Sequence, residues 1–200
     1  MGVESDVGRR WVEVRWHGRG GQGVVTASNL LAESALLDNL YFQSLPEFGA
    51  ERSGAPVVAY TRIADTPIPF RFPVQEPHIV VVLDYTLWGH LPVVLGLRPG
   101  GLLLVNTPAS PQVVVRSLGW PLATVATLDA TAIAQATLGR PIPNVPILGG
   151  LLRLRPVVSL EAVQATLRQR LSARLGHQAM QANLQAFERG YQQVQSWEGR

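Results

Sequence analysis

The 200 residues are 46% hydrophobic and only 16% charged, with a formal net charge of +3 that sets 17 arginines against 14 carboxylates. That is enough apolar material for one well-cored domain, and no stretch is polar enough to divide it, so 1–200 reads as a single domain with a flexible start at 1–10. Cysteine and lysine are both absent, which excludes disulfides, thiolate nucleophiles, cysteine-held iron–sulfur clusters, lysine Schiff bases and a Walker-type phosphate loop from this chain.

The arginines are scattered, with no dense basic run of the kind that marks a nucleic-acid or membrane surface. Met1 to Arg10 is polar and unlike a signal peptide, and the longest apolar runs, Ile79 to Leu83 and Leu102 to Val105, are far too short to cross a bilayer. A cytoplasmic protein with neither nucleic acid nor membrane as partner is expected.

In chain order, Trp11 to His17 alternates partly with period two and predicts a first strand. Gly18-Arg19-Gly20-Gly21-Gln22-Gly23 follows, and Val24 to Leu37 places Val25, Leu30, Leu31, Ala35 and Leu37 on a helical stripe. Leu40 to Leu45 predicts a second strand, Pro46 to Pro56 a loop, and Val57 to Ile63 a third strand. Pro67 to Pro77 has four prolines in eleven residues and is expected to be an extended excursion.

Ile79-Val-Val-Val-Leu-Asp84 is a continuous apolar strand ending in an acid. Tyr85 to Leu97 leads to a Pro-Gly-Gly turn and a further strand, Leu102 to Asn106. Leu122 to Leu128 predicts another strand, Ala130 to Leu138 a helix, and Pro146 onward a helix interrupted in propensity by Gly149 and Gly150. Ser159 to about Leu175 and Ala179 to Trp197 predict the last two helices. Buried apolar strands between helices indicate an α/β fold: a Rossmann-like, doubly wound, mostly parallel sheet with helices on both faces and a helical C-terminal part.

Strand, glycine turn and helix in that order make an anion cradle. Glycines permit positive φ and close approach of backbone N–H groups, and the helix start adds unpaired donors. Arg19, Gly20, Gly21, Gln22 and Gly23 are therefore the first binding candidates. Gly18-x-Gly20-x-x-Gly23 also matches a dinucleotide fingerprint, but the acids available for a ribose, Asp38 and Glu47, are poorly placed, and Gly18 is equally explained by tight helix-to-strand packing. The loop Pro46 to Pro56 adds Glu47, Arg52 and Ser53, set to lie beside the first glycine turn; an ion pair of Glu47 or Glu51 with Arg52 is the alternative. The four histidines have no ligand spacing, and Asp84 and Asp129 read as caps for the elements that follow them.

Gly-Arg-Gly-Gly-Gln-Gly at 18–23, Pro-Glu-Phe-Gly-Ala-Glu-Arg-Ser-Gly-Ala-Pro-Val at 46–57, Pro-His-Ile-Val-Val-Val-Leu-Asp at 77–84, Asn144 to Gly150, and Asn183 through Phe187 to Gly190-Tyr191 together resemble the gamma subunit, or gamma domain, of the 2-oxoacid:ferredoxin oxidoreductases of the pyruvate synthase type. The resemblance spans nearly the whole chain. It implies an accessory subunit, without catalytic residues or resident cofactors, in a complex that oxidatively decarboxylates a 2-oxoacid to acyl-CoA. Thiamine diphosphate, magnesium and iron–sulfur clusters are then expected on alpha, beta and delta-type partner subunits, with ferredoxin as acceptor through the complex. Coenzyme A becomes a shared substrate, its phosphates held by Gly20 to Gly23 with Arg19 and Arg52 and with Glu47 and Ser53 as further binding candidates, unless that region is a subunit contact. An indolepyruvate or phenylglyoxylate oxidoreductase subunit, a free-standing NAD-binding dehydrogenase and a purely structural subunit stand as alternatives.

Overall fold

A computed structural model describes residues 11–47, 54–88, 90–119, 124–172 and 176–198. Arg52 and Ser53, and the start expected to be flexible, lie outside the described residues. The elements are β1 (Trp11–Arg19), α1 (Val24–Leu37), β2 (Tyr41–Glu47), β3 (Pro56–Ala64), β4 (Ile79–Val82), β5 (Leu102–Asn106), α2 (Pro111–Leu118), β6 (Thr124–Leu128), α3 (Ala130–Leu138), α4 (Asn144–Leu154), α5 (Leu160–Ser172), α6 (His177–Gln193) and β7 (Gln195–Glu198).

The strands form one sheet in the order β2-β3-β1-β4-β5-β6-β7. β1, β4, β5 and β6 are parallel neighbours, and β2 runs with them because it is antiparallel to β3, which is antiparallel to β1; β7 is antiparallel to β6. The parallel strands are apolar on both sides because both faces are covered. Val14, Trp16, Val81 and Leu104 point to a core closed by α1, α3, α4, α5 and α6. Val80, Val82, Leu103 and Val105 point the other way, under Val114 of α2 and the irregular stretch carrying Leu87, Val93 and Leu97.

That second face changes character at β1. Glu13, Arg15 and His17 alternate with Val14 and Trp16 and are nevertheless buried. Glu13 accepts from Arg62 Nε at 2.8 Å, and Arg62 lies against the rings of Phe70 and Phe72 at 5.1 and 4.9 Å. The proline-rich excursion is thus irregular, as its composition requires, and serves as the lid over an ionic layer. Arg15 donates to His17 Nε2 at 3.1 Å and to the carbonyl oxygens of Val93 and Leu95, tying the irregular cover to β1.

Among the described residues of Tyr85 to Leu97 the regular element is a 3-10 turn at Tyr85–Leu87, and Pro92 and Gly96 disfavour a continuous helix. One reading of the sequence is corrected. The last helix stops at Gln193, Val194 is extended at φ −62°, ψ 134°, and Gln195–Glu198 pairs with β6, Trp197 opposite Val125. Hydrogen bonding to an open sheet edge outweighs local helical preference there. Gly149 and Gly150 do sit within α4, for a packing reason: a methyl group on Gly149 would overlap the carbonyl of Phe187 in α6, and one on Gly190 the carbonyl of Pro146 in α4. The two helices touch backbone to backbone.

Candidate functional site

β1 and β4 end side by side, with Leu83 N donating to the oxygen of His17 at 2.7 Å. The glycine turn leaves β1 at this rim and Asp84 leaves β4 beside it. Gly21 and Gly23 have φ of 97° and 79°, a region that glycine enters without steric cost. Gly23 is the N-cap of α1, and Ala27 N donates to its oxygen at 2.9 Å. Gly18 is different. A methyl there would lie 2.5 Å from Val24 Cγ2 and 3.1 Å from Leu83 Cβ, so its smallness serves helix-to-strand packing.

Much of the turn's polar capacity is used internally. Arg19 N donates to Gln22 Oε1 at 2.8 Å, Gln22 N to the Arg19 oxygen at 3.1 Å, and Gly20 N to the Ala55 oxygen at 2.9 Å. Gly54 N donates back to the Gly20 oxygen at 3.3 Å, so the end of the loop after β2 is bound to the turn, where the sequence placed it. The amides of Gly21, Gly23, Val24, Val25 and Thr26 make no hydrogen bond to a described residue. They lie at the positive end of the α1 dipole; Gly21 and Thr26 are exposed and Val24 is buried.

The Arg19 guanidinium is anchored on three sides: Nε to Asp84 Oδ2 at 3.1 Å, Nη1 to the Gly54 oxygen at 3.1 Å and Nη2 to Thr86 Oγ1 at 3.1 Å. Gln22 Nε2 donates to the same Asp84 Oδ2 at 2.8 Å. Thr86 N and Oγ1 donate to Asp84 Oδ1 at 2.9 and 2.6 Å. Asp84 therefore caps the following turn, as expected of a strand-end acid, and also gathers two side chains of the glycine turn. Burial pushes its carboxyl up, but the bonds from Thr86 and Gln22 and the charge of Arg19 outweigh burial and leave it below the ordinary carboxylate value.

Glu47 is elsewhere. β3 stands between β2 and β1, so Glu47 is opposite Val58, which is opposite His17, two strand spacings or about 10 Å across the sheet. Its Oε2 accepts from the Tyr60 hydroxyl at 2.7 Å, and burial followed by that bond pushes the hydroxyl well above its ordinary value. Asp38 accepts from Ser159 N and Oγ, both at 2.6 Å, fixing the start of α5. It lies a full α1 length, about 21 Å, from the turn. Neither acid is placed to hold a ribose beside the glycines, which removes the feature that a nicotinamide site needs.

Two features escaped the sequence. Asn144, at the start of α4, packs over Gly23 so closely that a Cβ there would lie 2.6 Å from its Nδ2. A cavity of about 860 Å³ opens beside it, bordered by Thr26 and Leu30 of α1, Arg140, Asn144 and Asn183. Asn144 and Asn183 both stand in recognisable motifs, but nothing in the sequence brings them together.

A profile of the pyruvate ferredoxin/flavodoxin oxidoreductase family matches residues 13–193. The chain is 44% identical over 178 residues to the gamma subunit common to the pyruvate and ketoisovalerate oxidoreductases of Thermococcus litoralis, covering 89% of this chain and 96% of that one. It is 42% identical over 188 residues to the pyruvate synthase subunit PorC of Thermotoga maritima, covering 94% and 97%. The crystal structure of the pyruvate oxidoreductase subunit PORC from Thermotoga maritima superposes with a TM-score of 0.84 at 40% identity, covering 94% of this chain and 99% of that one. With the same fold carried from end to end at this level of identity, the chain belongs to the pyruvate ferredoxin/flavodoxin oxidoreductase family.

Proposed function

We propose that this protein is the gamma-type accessory subunit of a multi-subunit 2-oxoacid:ferredoxin oxidoreductase, and that its glycine turn borders the path by which coenzyme A enters. The observation that carries the reading is the near-complete, two-way coverage of gamma and PorC subunits combined with amides at Gly21, Gly23 and the first turn of α1 that bond to no described residue, Gly21 and Thr26 being exposed. In this reading alpha, beta and delta-type partners hold thiamine diphosphate, magnesium and the iron–sulfur clusters, and ferredoxin takes the electrons. This chain contributes only to binding: main-chain donors hold a phosphate, Arg52 and Ser53 are assigned to the same phosphate on their chemistry, and the cavity beside Thr26 receives uncharged parts of the ligand. Interaction energy with the remote nucleotide then positions the thiol, which is how a subunit without reacting groups affects turnover.

In the assembled complex Arg52→Ala should raise KM for coenzyme A roughly tenfold, the cost of one charge-assisted contact, with KM for the 2-oxoacid unchanged. An unchanged dependence on coenzyme A would make the loop an assembly contact. Decarboxylation by the purified single chain would overturn the accessory role, and saturable NADH binding would favour a dehydrogenase.

A further inference from the structure

Asp84 stands 62 residues from Gln22 and 65 from Arg19, yet one of its oxygens accepts a hydrogen bond from each. Gln22 has its orientation fixed from both ends. Its Oε1 accepts from Arg19 N and its Nε2 donates to the carboxylate; reversing the amide would set donor against donor and oxygen against oxygen. The result is a closed loop of hydrogen bonds running from the end of β1, through the glycine turn, to the end of β4.

From this we propose that Gln22 and Asp84 are positioning residues, which hold the turn from Arg19 to Gly23 in its binding shape and themselves touch no ligand. The proposal rests on the coenzyme A reading above and reassigns two members of the turn within it. Arg19 supports the turn in the same way, because Asp84, Gly54 and Thr86 already engage its guanidinium from three directions and the carboxylate offsets its charge. Anion affinity then comes from the unspent amides, above all Gly21, whose α-carbon faces open space with nothing within 4 Å of an added Cβ.

The bond polarities give a decisive test. Asp84→Asn has one acceptor oxygen where Asp84 has two: with its amide toward Gln22 and Arg19 it sets donor against donor, and with its oxygen there the amide meets Thr86 N instead. Gln22→Glu places an oxygen against the carboxylate, so each single variant loses the anchor at Thr86 or a bond of the loop. Together they restore it with donor and acceptor exchanged, since the amide introduced by Asp84→Asn donates to the carboxylate introduced by Gln22→Glu, which still accepts from Arg19 N, and net charge is unchanged.

In the assembled oxidoreductase each single variant should raise KM for coenzyme A about tenfold, the value of a lost charged hydrogen bond, with kcat and KM for the 2-oxoacid near wild type. The double variant should return KM to within about threefold of wild type, allowing for the altered partner of Arg19 Nε. A double variant as impaired as Gln22→Glu alone would show that Gln22 contacts the ligand and would overturn the proposal, as would singles with unchanged KM. Gly21→Val is the control for the underlying reading. If it leaves the coenzyme A dependence unchanged, the turn is no coenzyme A site; if it alone raises KM and the Asp84 and Gln22 variants do not, only the positioning role fails.

Discussion

Gly190 of α6 lies against the carbonyl of Pro146 in α4 with room for a hydrogen and nothing larger. Because Gly149 meets Phe187 in the same way, the helices cannot yield at one point without moving at the other. Gly190→Ala should therefore lower stability by about 1–3 kcal/mol or more, despite alanine's better helix propensity. Chemical denaturation of the purified chain measures this, and a neutral or stabilising result would contradict the backbone contact.

Gly21 and Gly23 should respond differently to alanine. At Gly21 the only cost is the positive φ, about 1–2 kcal/mol, because a Cβ there meets nothing within 4 Å. At Gly23 the same backbone cost is joined by displacement of Asn144, 2.6 Å from the new Cβ, so Gly23→Ala should be the more destabilising. Melting temperatures of the two variants, compared side by side, decide the order.

His17 carries the acid sensitivity of the sheet. Burial, then the neighbouring Arg15 charge, pushes it down to about 4 from 6.5. As pH falls through 6.5 the unfolded chain takes up a proton that the folded chain refuses, so this group withdraws about 1.4 kcal/mol of stability per pH unit until the folded histidine titrates as well. Wild type should lose stability between pH 6.5 and about 4, and His17→Gln, which keeps an acceptor for Arg15, should lose less. Parallel slopes for the two proteins would remove His17 as the cause.

Asp84 acts at lower pH. Its carboxyl is held below the ordinary 3.8, so its contribution is present above that value and disappears as pH falls through the lower folded value. The stability gap between wild type and Asp84→Asn should be constant near neutrality and close below about pH 3.8. A gap that persists in strong acid would mean that the carboxylate charge is not what holds Arg19.

Elements with strong local signals were legible in the sequence. The runs Ile79–Val82 and Leu102–Asn106 and the alanine-rich Ala130–Leu138 declare themselves through continuous apolarity or helix propensity. Pro111–Leu118 was missed: proline at its first turn is a helix start signal, but Val113 to Val115 is β-branched and masks it. β7 was read as helix because its strand character exists only in the pairing with β6. At the rim, the glycine turn and the approach of Gly54 and Ala55 to it could be read from residue types, whereas Glu47, expected beside the turn, belongs to β2 two strands away. The links from Asp84 to Arg19 and Gln22, and of Asn144 to Gly23, join residues far apart in the chain, so only the fold reveals them.

Alternation along β1 also guards the sheet against mispairing. A slip of one residue against β3 or β4 would turn Glu13, Arg15 and His17 into the helical core and expel Val14 and Trp16 from it, an exchange that no hydrophobic gain could offset. The ionic layer on the outer face thus works as a key cut for one alignment, and the central strand has a single way to dock.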